Sequence, residues 1–99
     1  MTLRKVDVIF RIVQRIELER KRGVHMAFNY NKLKGRIVEI FGNQTEFAKA
    51  MEWSDRTLSL KLNDKVSWKQ SDILKAIILL KLSENDIQDY FFNLKVQSI

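Results

Sequence analysis

The stretch from Gln44 to Asn63 narrows the choice of folds more than any other, because it reads as two short helices joined by a tight turn. Phe47, Ala48 and Met51 recur at i, i+1 and i+4, which gives the first helix a single apolar stripe; Ala48 is small where a second helix must cross closely. Leu58 and Leu62, four apart, give the second helix a stripe that faces the first. Ser54 stands where it can cap the second helix, and Trp53 is placed to staple onto Leu58. Two helices crossed in this way leave the outer face of the second one free. That face carries Asp55, Arg56, Ser59 and Leu60.

The rest of the chain supplies the helices that such a pair needs as support. Its 99 residues make one domain with one modest core. With no proline, three glycines and no alternating apolar runs between hairpin turns, the chain reads as all-helical. One helix is predicted over Tyr30 to Phe41, with Leu33, Ile37, Ile40 and Phe41 on one face and Gly42 as a left-handed exit. An Asn43-x-x-Glu46 box opens the next, and the second of the crossed pair runs from Asp55 to Asn63. A Ser67-x-x-Gln70 box then opens a helix carried by Ile73, Leu74, Ile77, Ile78 and Leu80 or Leu82. Ser83-x-x-Asp86 opens the last, with Leu82 and Ile87 as its staple and Tyr90, Phe91 and Leu94 packing behind it. Trp53 and Trp68 read as packing residues.

Three segments, Lys32-Leu-Lys-Gly-Arg36, Glu46-Phe-Ala-Lys49 and Arg56-Thr-Leu-Ser-Leu-Lys-Leu-Asn63, carry a resemblance that extends over Tyr30 to Val96. There the chain resembles the small Cro-like and repressor-like DNA-binding proteins of phages, in particular short phage regulators of Gram-positive hosts. The resemblance implies an all-α, five-helix λ-repressor-like helix-turn-helix domain over residues 26–99; ahead of it, in residues 1–25, helical spacing leaves room for an extra N-terminal helix. It implies a sequence-specific transcriptional repressor in the cytoplasm of a host bacterium, bound as a homodimer to double-stranded operator DNA. Elements after the reader, with Tyr90, Phe92 or Ile99 exposed, would supply the dimer contact. The chain departs from the pattern twice. Glu52 stands where these turns have glycine, at a cost of about 1 kcal/mol or a changed turn. Lys61 stands at a position that is usually apolar and half buried.

In that reading the second crossed helix enters the major groove. Arg56 is the strongest base reader, its fork matching guanine O6 and N7. Asp55 accepts from cytosine or orients Arg56, Ser59 reaches base or phosphate, and Leu60 touches a thymine methyl or packs inward. Gln44 lies at a helix N-terminus, where the local dipole favours a phosphate. Thr57 and Lys61 are structural or directed at phosphates, and Asn63, Lys65 and Lys69 complete the backbone contacts. The other class of function weighed is a helical protein-interaction module that holds a partner such as an antirepressor.

Charge fits a polyanionic partner: the net is +6, with seven Lys and Arg against three Asp and Glu in residues 1–25 and eight against five in residues 30–70. Residues 3–22 follow helical spacing through Val6, Ile9, Phe10, Val13 and Ile16 and stop at Gly23. Arg20-Lys-Arg-Gly23 followed by Met26 is what a purine-rich ribosome-binding site gives when translated in frame. A translated leader with Met26 as the start is therefore preferred to a functional arm or a tag remnant. An enzyme is not expected: the one histidine, His25, lies in that leader, and there is no cysteine, no glycine-rich phosphate loop and no metal-ligand spacing. No cofactor, metal or small-molecule substrate is expected. The absence of cysteine fits a reducing compartment, and the longest apolar run, Ala76 to Leu80, is too short for a membrane span.

Overall fold

The crossed pair forms at the centre of the chain. In the computed structural model, which describes residues 5–23 and 27–94, α3 runs Gln44–Ala50 and α4 runs Asp55–Leu62. The Asn43 side chain accepts the Glu46 N–H at 2.8 Å, and Ser54 Oγ accepts the Thr57 N–H at 3.1 Å, so both helices start on the expected caps. Phe47, Ala48 and Met51 are buried on one side of the crossing, Leu58 and Leu62 on the other. Glu52 takes the left-handed conformation at φ 64°, and the Trp53 N–H returns to the Ala48 carbonyl at 2.8 Å to close the turn.

Around this pair stand α1 (Lys5–Lys21), α2 (Asn31–Phe41), α5 (Gln70–Leu79) and α6 (Ile87–Phe91), giving six α-helices among the described residues. No strand occurs there; one antiparallel bridge joins Phe28 to Leu94, beside an Asn29 N–H that donates to the Asn93 carbonyl at 2.7 Å. Helix α2 buries Leu33 and Ile37, four apart, and packs on α3. It ends at Gly42, whose φ of 86° suits a residue without a Cβ and lets its N–H reach the Val38 carbonyl at 2.8 Å. Arg36 on α2 donates through Nε to the Leu80 carbonyl at 3.0 Å, placing a cation at the C-terminal end of α5 where the helix dipole favours it.

Four local expectations are corrected here. Helix α5 does not open on Ser67. It starts at Gln70, and Asp72 reaches back to accept the Lys69 N–H at 2.9 Å, so an acid three residues in does the work of the box. Ile78 is 73% exposed, because the buried stripe of α5 runs through Ile73, Ala76, Ile77 and Leu80 and leaves position 78 outside it. Leu94 is exposed, whereas Phe92, expected on the surface, is buried edge-on against Phe28 at 5.7 Å. The last helix opens as predicted on Ser83 and Asp86: the Ser83 N–H and hydroxyl both donate to Asp86 Oδ2 at 3.0 Å, across a short 3-10 turn at Glu84–Asp86.

An aromatic cluster closes the core. Trp68 lies edge-on to Phe91 at 5.2 Å and to Trp53 at 5.4 Å, with Tyr30 6.2 Å away. Helix α1 is laid against α5, burying Ile9 completely and Ile16 nearly so, with Val8, Ile12 and Val13 partly covered and Phe10 turned outward. The expected start at Met26, the lone His25, Val96 at the end of the resemblance and Ile99 as a dimer contact all lie outside the described residues.

Candidate interaction surface

The outer face of α4 is where the sequence places it. Asp55, Arg56 and Ser59 are exposed, and Leu60 is half-buried, its side chain only partly available. Gln44 lies exposed in the first turn of α3, and Lys65 and Lys69 are exposed on the loop that follows α4. Thr57 is half-buried, its hydroxyl 3.0 Å from Ser54 Oγ in the helix start. Asn63 spends its amide on α4 itself: Nδ2 donates to the Ser59 carbonyl at 2.8 Å and to Ser59 Oγ at 3.3 Å. Two of the expected contact residues thus hold each other.

Lys61 is the clear departure. It occupies an apolar position and is buried like an apolar residue, at 5% exposure. Its stem crosses the core boundary, and its ammonium meets Asp72 Oδ2 at 2.8 Å and the Ser67 carbonyl at 3.0 Å, 4.9 Å from the centre of the Trp53 ring. The Trp68 indole N–H donates to the Lys61 carbonyl at 3.2 Å, which ties the same residue down from the backbone side. An ammonium with these partners is not available to a phosphate, so Lys61 leaves the set of backbone-contact residues. Without it, the α4 face presents one acid and one base, Asp55 and Arg56, and its attraction for a polyanion is small.

A second surface, which the sequence reading missed, lies under α1. Phe28, Tyr30, Trp68 and Phe92 form an apolar face, and Val13, Ile16 and Arg20 of α1 come down on it. Burial there pushes the Tyr30 phenol far above its ordinary range, so it stays neutral. The Arg20 guanidinium donates to Ser67 Oγ. Between α1 and the body a cleft of about 420 Å³ remains, lined among others by Ile12, Ile16, Phe28 and Phe92. The signal for this face was the α1 stripe itself, because an apolar stripe that long must meet an apolar partner.

These features define a small all-helical domain with an additional helix laid over one side. The chain belongs to the family described as "protein of unknown function (DUF739)", whose model matches residues 26–94. It is similar to the modulator of repression (MOR) of the temperate bacteriophage TP901-1 from Lactococcus lactis, a solution structure, with 54% identity over 73% of this chain and 97% of that chain and a TM-score of 0.62. A search of curated proteins found no match.

The likeness corrects the functional reading. The Cro-like repressor family gives way to the DUF739 family and to a likeness with a modulator of repression, and the DNA-binding repressor gives way with it. Double-stranded operator DNA, the homodimer expected on it and the base-reading mechanism rested on the resemblance to repressors. A crossed helix pair is a framework that serves more than one function, and the pattern that forms it does not say what its outer face touches. Among the described residues no helix is long and apolar enough to cross a membrane.

Proposed function

We propose that this chain is a helical protein-interaction module that modulates repression by holding another protein, the phage repressor, in the manner of an antirepressor. One observation carries the reading: 54% identity to a phage modulator of repression over nearly all of that protein's length. The work is binding, with no catalytic step, in the cytoplasm of a phage-bearing bacterium. Residues 26–99 are the working domain and residues 1–25 an appended arm, a division supported by a family match that begins at residue 26. The α3–turn–α4 pair is a repressor-type helix-turn-helix put to protein contact, a reading supported by its buried crossing at Ala48 and its left-handed turn at Glu52. The exposed α4 face, with Asp55, Arg56 and Ser59, is the surface offered to the repressor.

The test is a calorimetric titration of the chain with phage repressors, beginning with that of TP901-1, at about 50 and about 500 mM salt. A complex whose affinity changes little with salt is expected, since no phosphate counterions are released. Arg56→Ala should weaken it about tenfold, as truncation of an interface arginine does. Absence of a complex with any repressor tested would overturn the proposal.

A further inference from the structure

Helix α1 is an addition to the domain and not a part of its family core. The family match begins at residue 26, and the TP901-1 modulator is covered to 97% by 73% of this chain. That leaves the modulator almost no residues from which to build a counterpart of α1. The face of Phe28, Tyr30, Trp68 and Phe92 therefore belongs to the domain, and the helix that covers it here does not.

The seating of α1 describes what this face accepts. Val13 and Ile16 line this face and Ile9, at i, is buried further along the seam where α1 packs on α5, so the stripe runs i, i+4, i+7; Arg20, at i+11, ends it with a donor to Ser67 Oγ. That is the helix-in-groove mode, read through i, i+4, i+7 anchors. The fit is incomplete. A cleft of about 420 Å³ stays open along the seam beside Ile12, Ile16, Phe28 and Phe92. Val8, Ile12 and Val13 are only partly covered. A seam open to solvent along one side covers less apolar surface, and a helix of 17 residues has little stability of its own in water. Such an element opens at a lower cost than the core.

We infer that the face beneath α1 is a docking groove for an amphipathic helix of a protein partner, with apolar anchors at i, i+4 and i+7 and a cation at i+11, and that α1 is its built-in competitor. A partner helix with a larger apolar residue at the position of Ile12 reaches further into the cleft and outcompetes α1. The inference concerns a surface apart from the α4 face and stands whether or not the repressor is the partner.

The experiment uses the full chain carrying Ile9→Asp, which places a charge in the buried seat of α1, and a fluorescent peptide of residues 5–21 with the natural sequence. The peptide should bind the variant at least ten times more tightly than the unsubstituted chain, and an Ile12→Phe peptide more tightly still. Hydrogen exchange on the unsubstituted chain should show the α1 amides opening well below the cost of global unfolding, with protection over α5 retained. Three results overturn the inference: a peptide that binds both chains equally or neither, α1 amides that exchange only with global unfolding, or an Ile9→Asp chain that no longer unfolds cooperatively. The last would make α1 part of the core. Failure of the repressor titration strikes the proposed function alone.

Discussion

Lys61 shows how one residue can look like a surface cation in the sequence and act as a structural bolt. It links α4, the following loop and α5 through Asp72 and the Ser67 carbonyl, with both members of the ion pair mostly covered. Lys61→Met should cost about 3 to 5 kcal/mol in a urea unfolding curve, because the Asp72 carboxylate is then left buried without its partner. Arg56→Ala, on the exposed α4 face, should stay within about 0.5 kcal/mol in the same assay. A Lys61→Met chain as stable as the parent would show that the pair adds nothing to the fold. Asp86 carries the pH dependence. The Ser83 N–H and hydroxyl hold its carboxyl below the usual carboxylate range. A lowered folded pKa gives stabilisation that is present above the ordinary aspartate range near 4 and is lost as pH falls through the folded value. Asp86→Ala should therefore lower the thermal midpoint at neutral pH and leave it unchanged in strong acid, read across a pH series.

At the level of elements, the parts readable in the sequence are those specified by neighbours in the chain. The α3–α4 pair was legible because its caps, its turn and its stripe all lie between Asn43 and Leu62. The start of α5 was misread because Ser67 looks like a cap, while its carbonyl and hydroxyl are claimed by Lys61 and Arg20, both distant in sequence or held by tertiary packing. The exposed α4 face was legible for the same local reason, and its partner was not, since a surface pattern does not name what it touches. Of the groove under α1 only the helix side was legible, in the α1 stripe; the face it meets joins residues near 28, 68 and 92 and has no local signal. Left-handed backbone at Glu52, at φ 64°, was foreseen from its place in the turn, and it has a measurable effect. Glu52→Gly should raise stability by about 0.5 to 1 kcal/mol, because the strain relieved exceeds the loss of an exposed pair to Lys75, itself worth little. A lower denaturation midpoint in that variant would mean the Lys75 contact outweighs the strain.

At the scale of the whole molecule, the family match covers residues 26–94 and α1 lies outside it. A chain beginning at Met26 should still unfold in one cooperative step, with stability lowered by about 2 to 4 kcal/mol for the lost burial of Ile9 and Ile16 against the core. Calorimetry showing no transition would assign α1 to the core. The two tryptophans give this molecule an optical property that follows from their placement. Trp53 and Trp68 are the only two in the chain and meet edge to face at 5.4 Å, where α4, α5 and the end of α1 come together. All indole emission therefore comes from one spot, and the two transition dipoles are close enough to couple. Circular dichroism should carry a paired exciton signal from that spot, and its loss would time the unfolding of the aromatic cluster independently of the helical signal from the rest of the bundle.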